Sequence, residues 1–287
     1  LETVLEWLSP PRLMELAGRV AVVTGGGGGI GEGLGRAFAA EGARAVVLAD
    51  IDGDAAGRVA ADIAGTTGTA ALGLRVDAGS EPDVVDLVRR TEDAFGPVDL
   101  FCANAGIIAI GGVEVPDEDW ERMWRVNVAS HIYAARAVLP AMLARGEGYL
   151  LHTASAAGLL TQLGSAPYSV TKHAVVGLAE WLAITHGDAG IRVSCLCPQA
   201  VQTGMTRGTF RRPGDDQAST ARRDGVLLPD EVAGTVVEGL RDERFLILPH
   251  PEVATYEQRR AGDRERWLKG MRRMQAAMVA AWRSPTT

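Results

Sequence analysis

The sequence predicts an α/β protein whose parallel sheet is covered by helices on both faces. Seven short apolar runs alternate with longer segments in which apolar residues recur at helical spacing. Strands buried on both faces appear as continuous apolar runs, and the helices between them supply the crossovers that parallel neighbours need. One unbroken alternation in a chain of 287 residues therefore predicts a single doubly wound, Rossmann-type domain of about seven strands.

The individual elements follow from these two patterns. Runs rich in β-branched residues predict strands at Val20–Thr24, Ala45–Ala49, Ala71–Val76, Val98–Ala103, Tyr149–Ser155, Ile191–Cys197 and Phe245–Leu248. Amphipathic stretches predict helices at Ile30–Glu41, Asp54–Ala64, Glu81–Phe95, Asp117–Ala144, Ala166–His186 and Asp230–Leu240. Ligands of such sheets bind beyond the carboxyl ends of the strands, so functional residues are expected there.

The overall composition argues against several classes of partner. A formal net charge of −7 and an isoelectric point near 5.3 argue against nucleic acid. No apolar stretch approaches the length of a transmembrane helix, and the N-terminal residues are acidic, unlike those of a signal peptide. Cys102, Cys195 and Cys197 lie in apolar stretches, which is typical of buried thiols in a reducing compartment. We therefore expect a cytoplasmic protein with neither a nucleic-acid nor a membrane partner.

The five histidines show no metal-ligand spacing, so no metal site is expected. His152 lies on the fifth predicted strand, beside candidate site residues. We interpret it as a hydrogen-bonded histidine of the sheet.

The most informative pair of residues is Tyr168 and Lys172, four positions apart in a predicted helix. The chain has 27 arginines but only two lysines, so composition alone does not explain a lysine here. Side chains at i and i+4 share one helix face, which places the Lys172 ammonium beside the Tyr168 phenol. A buried cation favours the phenolate, so Lys172 is expected to lower the tyrosine pKa from about 10. The pair is therefore interpreted as catalytic acid/base machinery.

The first predicted strand runs into a glycine-rich turn at residues 24–31 (TGGGGGIG), and a helix follows at once. Glycines let the backbone turn tightly and approach a pyrophosphate at the helix N-terminus. The second strand ends at Asp50, where a carboxylate accepts the ribose hydroxyls and repels a 2′-phosphate. No basic residue follows immediately. NAD(H) is therefore expected in preference to NADP(H).

Taken together, these residues resemble the short-chain dehydrogenase/reductase family in its compact single-domain form, over roughly residues 18–250. The resemblance implies that Asp77 reads the adenine amino group and that Tyr168 and Lys172 contact the cofactor. Gln199 stands where the family has a glycine. The remaining implied cofactor-binding residues are Gly25, Gly29, Ile30 and Gly31 in the loop, Asn104, Ala105 and Gly106 after the fourth strand, and Pro198, Val201 and Thr203 after the sixth.

The resemblance also implies a catalytic set of Asn127, Ser155, Tyr168 and Lys172, with the usual family spacing between Ser155 and Tyr168. Tyr168 would be the general base for alcohol oxidation and the general acid for ketone reduction. Ser155 would hydrogen-bond the substrate oxygen and stabilise the charge that develops there. Lys172 would lower the tyrosine pKa and bind the nicotinamide ribose, while Asn127 would hold a water behind it. The implied reaction is hydride transfer between NAD(H) and a secondary alcohol or its ketone.

Apolar residues near these positions predict an apolar substrate body. The candidate pocket residues are Ile107, Ile110, Leu159, Leu160 and Met205, and Gln199 adds an amide beside the pocket. Three alternatives remain open. Fatty-acyl enoyl reductases place the lysine further from the tyrosine than four residues. Nucleotide-sugar epimerases and dehydratases share the Tyr-x-x-x-Lys pattern, although they usually carry a larger C-terminal substrate domain. A non-catalytic NAD-binding sensor or scaffold would have no need of the four catalytic residues.

Three segments complete the expected domain organisation. Residues 1–13 are expected to be an N-terminal extension, with natural translation starting at Met14, and residues 14–251 to form the catalytic domain. Within it, residues 203–228 are rich in Gly, Arg, Asp and Thr and are expected to form a substrate lid. Residues 252–287 form a C-terminal amphipathic helical tail.

The C-terminal tail carries eight basic residues against four acidic ones. An apolar stripe recurs along it at helical spacing, formed by Trp267, Met271, Met274, Met278 and Ala281. We expect this stripe to pack against an acidic neighbouring subunit of a homo-oligomer, a tetramer or a dimer, where the arm would also help to wall the substrate pocket.

Overall fold

A computed structural model describes residues 14–206 and 224–283 of the chain. Its strands are β1 (Val20–Thr24), β2 (Ala45–Asp50), β3 (Ala70–Arg75), β4 (Leu100–Ala103), β5 (Gly148–Thr153), β6 (Ile191–Leu196) and β7 (Leu246–Ile247). They form one seven-stranded sheet in the order β3-β2-β1-β4-β5-β6-β7, and every neighbouring pair is parallel. The predicted doubly wound sheet is therefore confirmed.

The helices lie between these strands and after the last one. They are α1 (Gly29–Ala40), α2 (Gly53–Thr67), α3 (Glu81–Phe95), α4 (Asp117–Trp124), α5 (Ser130–Arg145), α6 (Ala157–Leu160), α7 (Ala166–His186), α8 (Pro229–Arg241), α9 (Glu252–Gly262) and α10 (Arg264–Arg283). The predicted helix 117–144 is divided, because a π-helical turn at Arg125–Ala129 separates α4 from α5. The tail is likewise two helices, with Asp263 between them.

Helices pack on both faces of the sheet. One apolar cluster joins the sheet to α1, α2 and α8, and a second joins it to α3, α5 and α7. Leu150 and Leu151 of β5 belong to opposite clusters, as the two-residue period of a strand requires. The strand order reverses between β1 and β4, so the loops that leave these two strands diverge and open a crevice.

Two further features of the described residues bear on the expectations above. No helix in residues 14–206 or 224–283 is long and apolar enough to cross a membrane. Cys102, Cys195 and Cys197 are buried free thiols. Residues 1–13 and most of the expected lid, residues 207–223, lie outside the described residues.

The short helix α6 packs unusually close to α7. A Cβ atom added at Gly158 would lie only 2.5 Å from the backbone oxygen of Lys172 and 3.0 Å from a methyl group of Val176. The residue at this position therefore sets the distance between the end of β5 and the first turns of α7.

Replacing Gly158 by Ala is expected to destabilise the protein, because the added methyl group must push two buried backbones apart. A loss of about 1–3 kcal/mol in the free energy of unfolding is expected from urea denaturation. Gly234→Ala is the matched control, since Gly234 is exposed within α8 and a Cβ there meets nothing within 4 Å. That change is expected to be neutral or stabilising by up to about 1 kcal/mol. Equal unfolding midpoints for the two variants would contradict the packing argument.

Candidate active site

The predicted catalytic residues meet at the carboxyl end of the sheet. Ser155 follows β5, and Tyr168 and Lys172 occupy the first turns of α7, which Ser165 begins by accepting a hydrogen bond from the Tyr168 N–H. Ser155 lies close enough to Tyr168 to influence its phenol, and its own hydroxyl donates to the Pro198 carbonyl at 3.4 Å. Lys172 Nζ lies 5.7 Å from the centroid of the Tyr168 ring and donates to the Thr153 carbonyl at 2.9 Å. The serine, tyrosine and lysine thus form one cluster.

Burial controls the ionisation of this cluster. It raises the pKa of Tyr168 above its ordinary value, and the polar interaction with Ser155 offsets only part of that rise. It lowers the pKa of Lys172 to about 8. The expectation that Lys172 lowers the tyrosine pKa was therefore wrong for this structure. Burial of the phenol is the largest influence on its pKa, and the Lys172 ammonium beside it is itself desolvated and hydrogen-bonded to a backbone carbonyl.

Asn127 lies in the π-helical turn and is completely buried. Its Oδ1 accepts from the Ile107 N–H at 2.8 Å, and its Nδ2 donates to the Ile107 carbonyl at 2.9 Å and to Thr171 Oγ1 at 3.2 Å. Both amide hydrogens are thereby engaged, which leaves only the second lone pair of Oδ1 for a relay water. A Cβ at Gly106 would lie 3.5 Å from both Asn127 Oδ1 and Lys172 Nζ, so this glycine lies between the two side chains.

The glycine-rich turn has the form of a phosphate cradle. Gly28 caps α1 without a side-chain hydrogen bond, so the first N–H groups of the helix, beginning with those of Gly29 and Ile30, have no side-chain cap. Gly25 and Gly29 have φ of 67° and 54°, a region that favours glycine. A Cβ at Gly31 would lie 2.0 Å from the Gly25 carbonyl. These features fit the pyrophosphate of a dinucleotide.

Two acidic residues lie at the carboxyl ends of β2 and β3, the strands on one side of β1 in the sheet. Asp50 ends β2, and its Oδ2 accepts from the Gly27 N–H at 2.9 Å while its Oδ1 accepts from the Asp52 N–H at 3.0 Å. It is Asp52, and not Asp50, that caps α2. Asp77 follows β3, and its Oδ1 accepts from the Gly79 N–H at 2.9 Å. Both carboxylates are positioned by backbone N–H groups at strand ends.

The segments after β4 and β6 complete the crevice. Thr24 Oγ1 accepts the N–H groups of Asn104 at 3.0 Å and Ala105 at 3.1 Å, which ties the end of β4 to the end of β1. Thr203 lies across the glycine turn, 3.0 Å from a Cβ built on Gly29. Val201 is buried in the core cluster of the α1 face, and the Pro198 carbonyl accepts from the Ser155 hydroxyl at 3.4 Å.

A cavity of about 1020 Å³ opens above Ser155 and Tyr168. Of the predicted pocket residues, Leu160, Gln199 and Met205 line it. Ile107 and Leu159 do not; Leu159 packs in the core with 5% of its surface exposed, and Ile107 is fixed through its backbone by Asn127. Ile110, which is exposed, does not line the cavity either, and Ile108 lines it in place of Ile107.

The outer wall of the cavity comes from α9 and α10. The lining residues of these helices and their junction are Tyr256, Arg259, Gly262, Asp263, Arg266, Trp267, Gly270, Met271, Arg273, Met274 and Met278. Four members of the predicted apolar stripe are among them. The sequence pattern identified this face of the tail, but it did not indicate that the face lines a cavity of its own chain.

The sequence is similar to proteins whose family is known. Over residues 19–213 the sequence matches the short chain dehydrogenase family. The chain belongs to the short-chain dehydrogenase/reductase family. It is 37% identical over 245 residues to 1-deoxy-11-beta-hydroxypentalenate dehydrogenase of Streptomyces exfoliatus, covering 84% of this chain and 86% of that protein. It is 35% identical over 228 residues to 3beta-hydroxysteroid dehydrogenase 2 of Eggerthella lenta, covering 76% and 86%.

A solved structure agrees with this assignment. A short-chain dehydrogenase/reductase of Burkholderia phymatum, in complex with NAD, superposes with a TM-score of 0.80 at 33% identity, covering 88% of this chain and 96% of that one. The resemblance drawn from the sequence motifs is therefore confirmed. The chain is an oxidoreductase of the short-chain dehydrogenase/reductase type, and the family supports a nicotinamide cofactor.

This enzyme departs from the family pattern at Gln199. Its side-chain amide donates to Asp224 Oδ2 at 3.1 Å, and its backbone N–H donates to His250 Nδ1 at 3.2 Å. The Tyr256 hydroxyl donates to the other carboxylate oxygen of Asp224 at 3.0 Å. Gln199 thus connects the segment after β6, through Asp224, to helix α9.

A buried histidine pair lies behind the catalytic cluster. The Nδ1 atoms of His131 and His152 are 2.9 Å apart, and His131 is one helical turn after Asn127. Neither Nε2 atom has a hydrogen-bond partner among the residues that the structure describes. The interpretation of His152 as a hydrogen-bonded sheet histidine thus holds for one ring nitrogen only. Burial keeps both rings neutral by lowering the pKa of each.

Replacing Tyr256 by Phe is expected to weaken the attachment of α9, because the change removes a hydrogen bond to a carboxylate. A loss of about 1–3 kcal/mol in unfolding free energy and faster hydrogen exchange in 252–262 are expected. Tyr133→Phe is the control, since the Tyr133 hydroxyl forms no hydrogen bond within the described part of the chain. Unchanged exchange in Tyr256→Phe would show that the Asp224 contact does not hold the helix.

Proposed function

We propose that this enzyme interconverts a secondary alcohol and its ketone with NAD(H) as the hydride carrier. The observation that carries the proposal is the cluster of Ser155, Tyr168 and buried Lys172 at one end of a large cavity. Relatives named for a hydroxypentalenate and a hydroxysteroid support an alcohol on a sizeable apolar body. The cavity volume lies near the upper end of the ~300–1000 Å³ that is typical of ligand pockets.

Each residue of the catalytic cluster has a distinct role in the proposed reaction. Tyr168 has a raised pKa, so its phenol is protonated near neutral pH and is suited to donate a proton to a ketone oxygen. Ser155 hydrogen-bonds the same oxygen and stabilises the charge that develops on it. Lys172, anchored by the Thr153 carbonyl, provides a positive charge beside the phenol and a donor for a ribose hydroxyl. The bound nicotinamide would supply or accept the hydride.

Removing the tyrosine hydroxyl tests this assignment directly. Tyr168→Phe is expected to reduce kcat by at least about 100-fold, because general acid–base catalysis contributes about that much or more. NADH binding, measured by fluorescence titration, is expected to stay near the wild-type value. A Phe variant that retains more than a few per cent of the wild-type kcat would contradict the role of Tyr168 as general acid and base. Wild-type protein that binds NADH but turns over no alcohol or ketone would favour the sensor alternative.

The preference for NAD(H) rests on Asp50. Its carboxylate lies at the end of β2 against the backbone of Gly27, where it would meet the hydroxyls of an adenosine ribose and repel a phosphate. A neighbour of known structure was solved in complex with NAD, which agrees with this preference.

Asp50→Ala is expected to lower kcat/KM with NAD and to narrow or reverse the preference over NADP, because the hydroxyl acceptor and the phosphate repulsion are both lost. Asp52→Ala is the matched control, since this neighbouring carboxylate caps α2 by accepting from the Ala55 N–H. Asp52→Ala is expected to lower the free energy of unfolding by about 1 kcal/mol and to leave the ratio of kcat/KM for NAD to that for NADP unchanged. Equal kcat/KM for NAD and NADP in the wild-type enzyme would contradict the assignment.

The enzyme is also proposed to act as a homo-oligomer, a dimer or a tetramer. Val170, Trp181 and Ile184 lie on one face of α7, at i, i+11 and i+14, and have 49%, 57% and 84% of their surface exposed. An apolar face of this kind suits burial against a second copy of the chain.

A further inference from the structure

The wall that α9 and α10 place over the cavity combines two kinds of side chain. Its apolar part is the half-buried set of Trp267, Met271, Met274 and Met278. Its charged part is three exposed arginines, Arg259, Arg266 and Arg273. Methionine side chains adapt to irregular apolar shapes, so this part of the wall suits a bulky hydrocarbon body.

In residues 14–206 and 224–283, the three arginines have no partner of opposite charge. None of them forms an ion pair or a side-chain hydrogen bond with any residue in the described part of the chain. Elsewhere on this protein arginines do pair, as Arg36 does with Glu32 at 2.8 Å and Arg241 with Glu41 at 2.8 Å.

The one acidic residue among the described lining residues of this wall, Asp263, already accepts a hydrogen bond. Asp263 Oδ1 accepts the backbone N–H of Arg266 at 2.9 Å and so begins α10. Gly270 leaves room beside the cavity for the Arg273 guanidinium, whose Nη2 would lie 4.0 Å from a Cβ built there. The wall therefore presents three cationic groups against one acid that caps a helix.

We propose that the substrate is an apolar secondary alcohol, or its ketone, that carries a carboxylate, and that Arg259, Arg266 and Arg273 bind this carboxylate. The inference rests on the proposed function, because it assumes that the reacting oxygen binds at Ser155 and Tyr168. With that oxygen held at the base of the cavity, the body of the substrate packs on the methionines and the acidic group lies under the arginines. Planar guanidinium groups match a carboxylate through paired hydrogen bonds.

Matched pairs of acid and amide test the proposal. The probes are lithocholate and its primary carboxamide, and the smaller 4-hydroxycyclohexanecarboxylate and its carboxamide. Within each pair only the charge of one end changes. KM is measured with NAD, and binding is measured separately by calorimetry on the NADH-saturated enzyme, a readout that does not need turnover.

For at least one pair, the wild-type enzyme is expected to have a KM and a dissociation constant about 10-fold lower for the acid than for the carboxamide. A single exposed ion pair strengthens binding by up to about 5-fold, and here three arginines act together. The triple variant Arg259→Gln, Arg266→Gln, Arg273→Gln is expected to lose that preference, because KM and the dissociation constant rise more for the acid than for the carboxamide. Arg272→Gln is the matched control, because Arg272 is exposed on the same helix but does not line the cavity. The triple change to lysine is expected to keep part of the preference, and added salt to reduce it.

The two proposals fail in different ways. Equal affinity for acid and carboxamide in the wild type, or a preference that survives in the triple glutamine variant, overturns the carboxylate assignment while leaving alcohol oxidation intact. Calorimetric binding that depends on the three arginines, without turnover of any probe, supports the carboxylate site and counts against the proposed reaction. Absence of binding by every probe overturns the carboxylate assignment.

Discussion

The hydroxyl group of Thr24 joins the two strands between which the crevice opens. It accepts the N–H groups of both Asn104 and Ala105, and the Thr24 carbonyl accepts from the Asn104 side chain at 3.1 Å. The strand order reverses at this point, so nothing in the sheet ladder itself holds the two departing loops together. One buried side chain therefore fixes the glycine turn relative to the segment that leads, through Gly106 and Ile107, to Asn127.

Within the catalytic cluster, desolvation is the dominant electrostatic effect. Lys172 is only 3% exposed, and burial lowers its pKa to about 8, so it remains mostly protonated at neutral pH, where it donates to the Thr153 carbonyl. Tyr168 responds in the opposite direction for the same reason, since burial disfavours the charged form of either group. The buried pair His131 and His152 stays neutral, so it adds no charge near the lysine. The site thus holds its cation in place by hydrogen bonding, not by a buried counter-charge.

Much of this arrangement could be predicted from the sequence because it depends on local pattern. The helices Glu81–Phe95 and Ala166–His186 begin and end as predicted, since a serine before each caps the first turn. Helical spacing placed Tyr168 beside Lys172 without knowledge of the fold. The exchange of Ile107 for Ile108 as a lining residue is a one-position error, which pattern cannot resolve in irregular segments after strands. The direction of the tyrosine pKa shift was missed because it depends on burial from every side.

The C-terminal tail shows a different limit of sequence reasoning. Periodicity identifies an apolar face on a helix, but it does not say which surface covers that face. Here Trp267 and three methionines cover a cavity of their own chain, and the arginines beside them face the same space. This wall lies outside the sheet and its two apolar clusters, apart from Val253 at the start of α9, which is buried in one of them. Substitutions in α10 therefore alter the shape and charge of the cavity without disturbing the strands that position Ser155. The wall and the catalytic cluster are joined by the contacts around Asp224, by Val253 in the core and by Arg260, which lies 3.5 Å from His173 of α7.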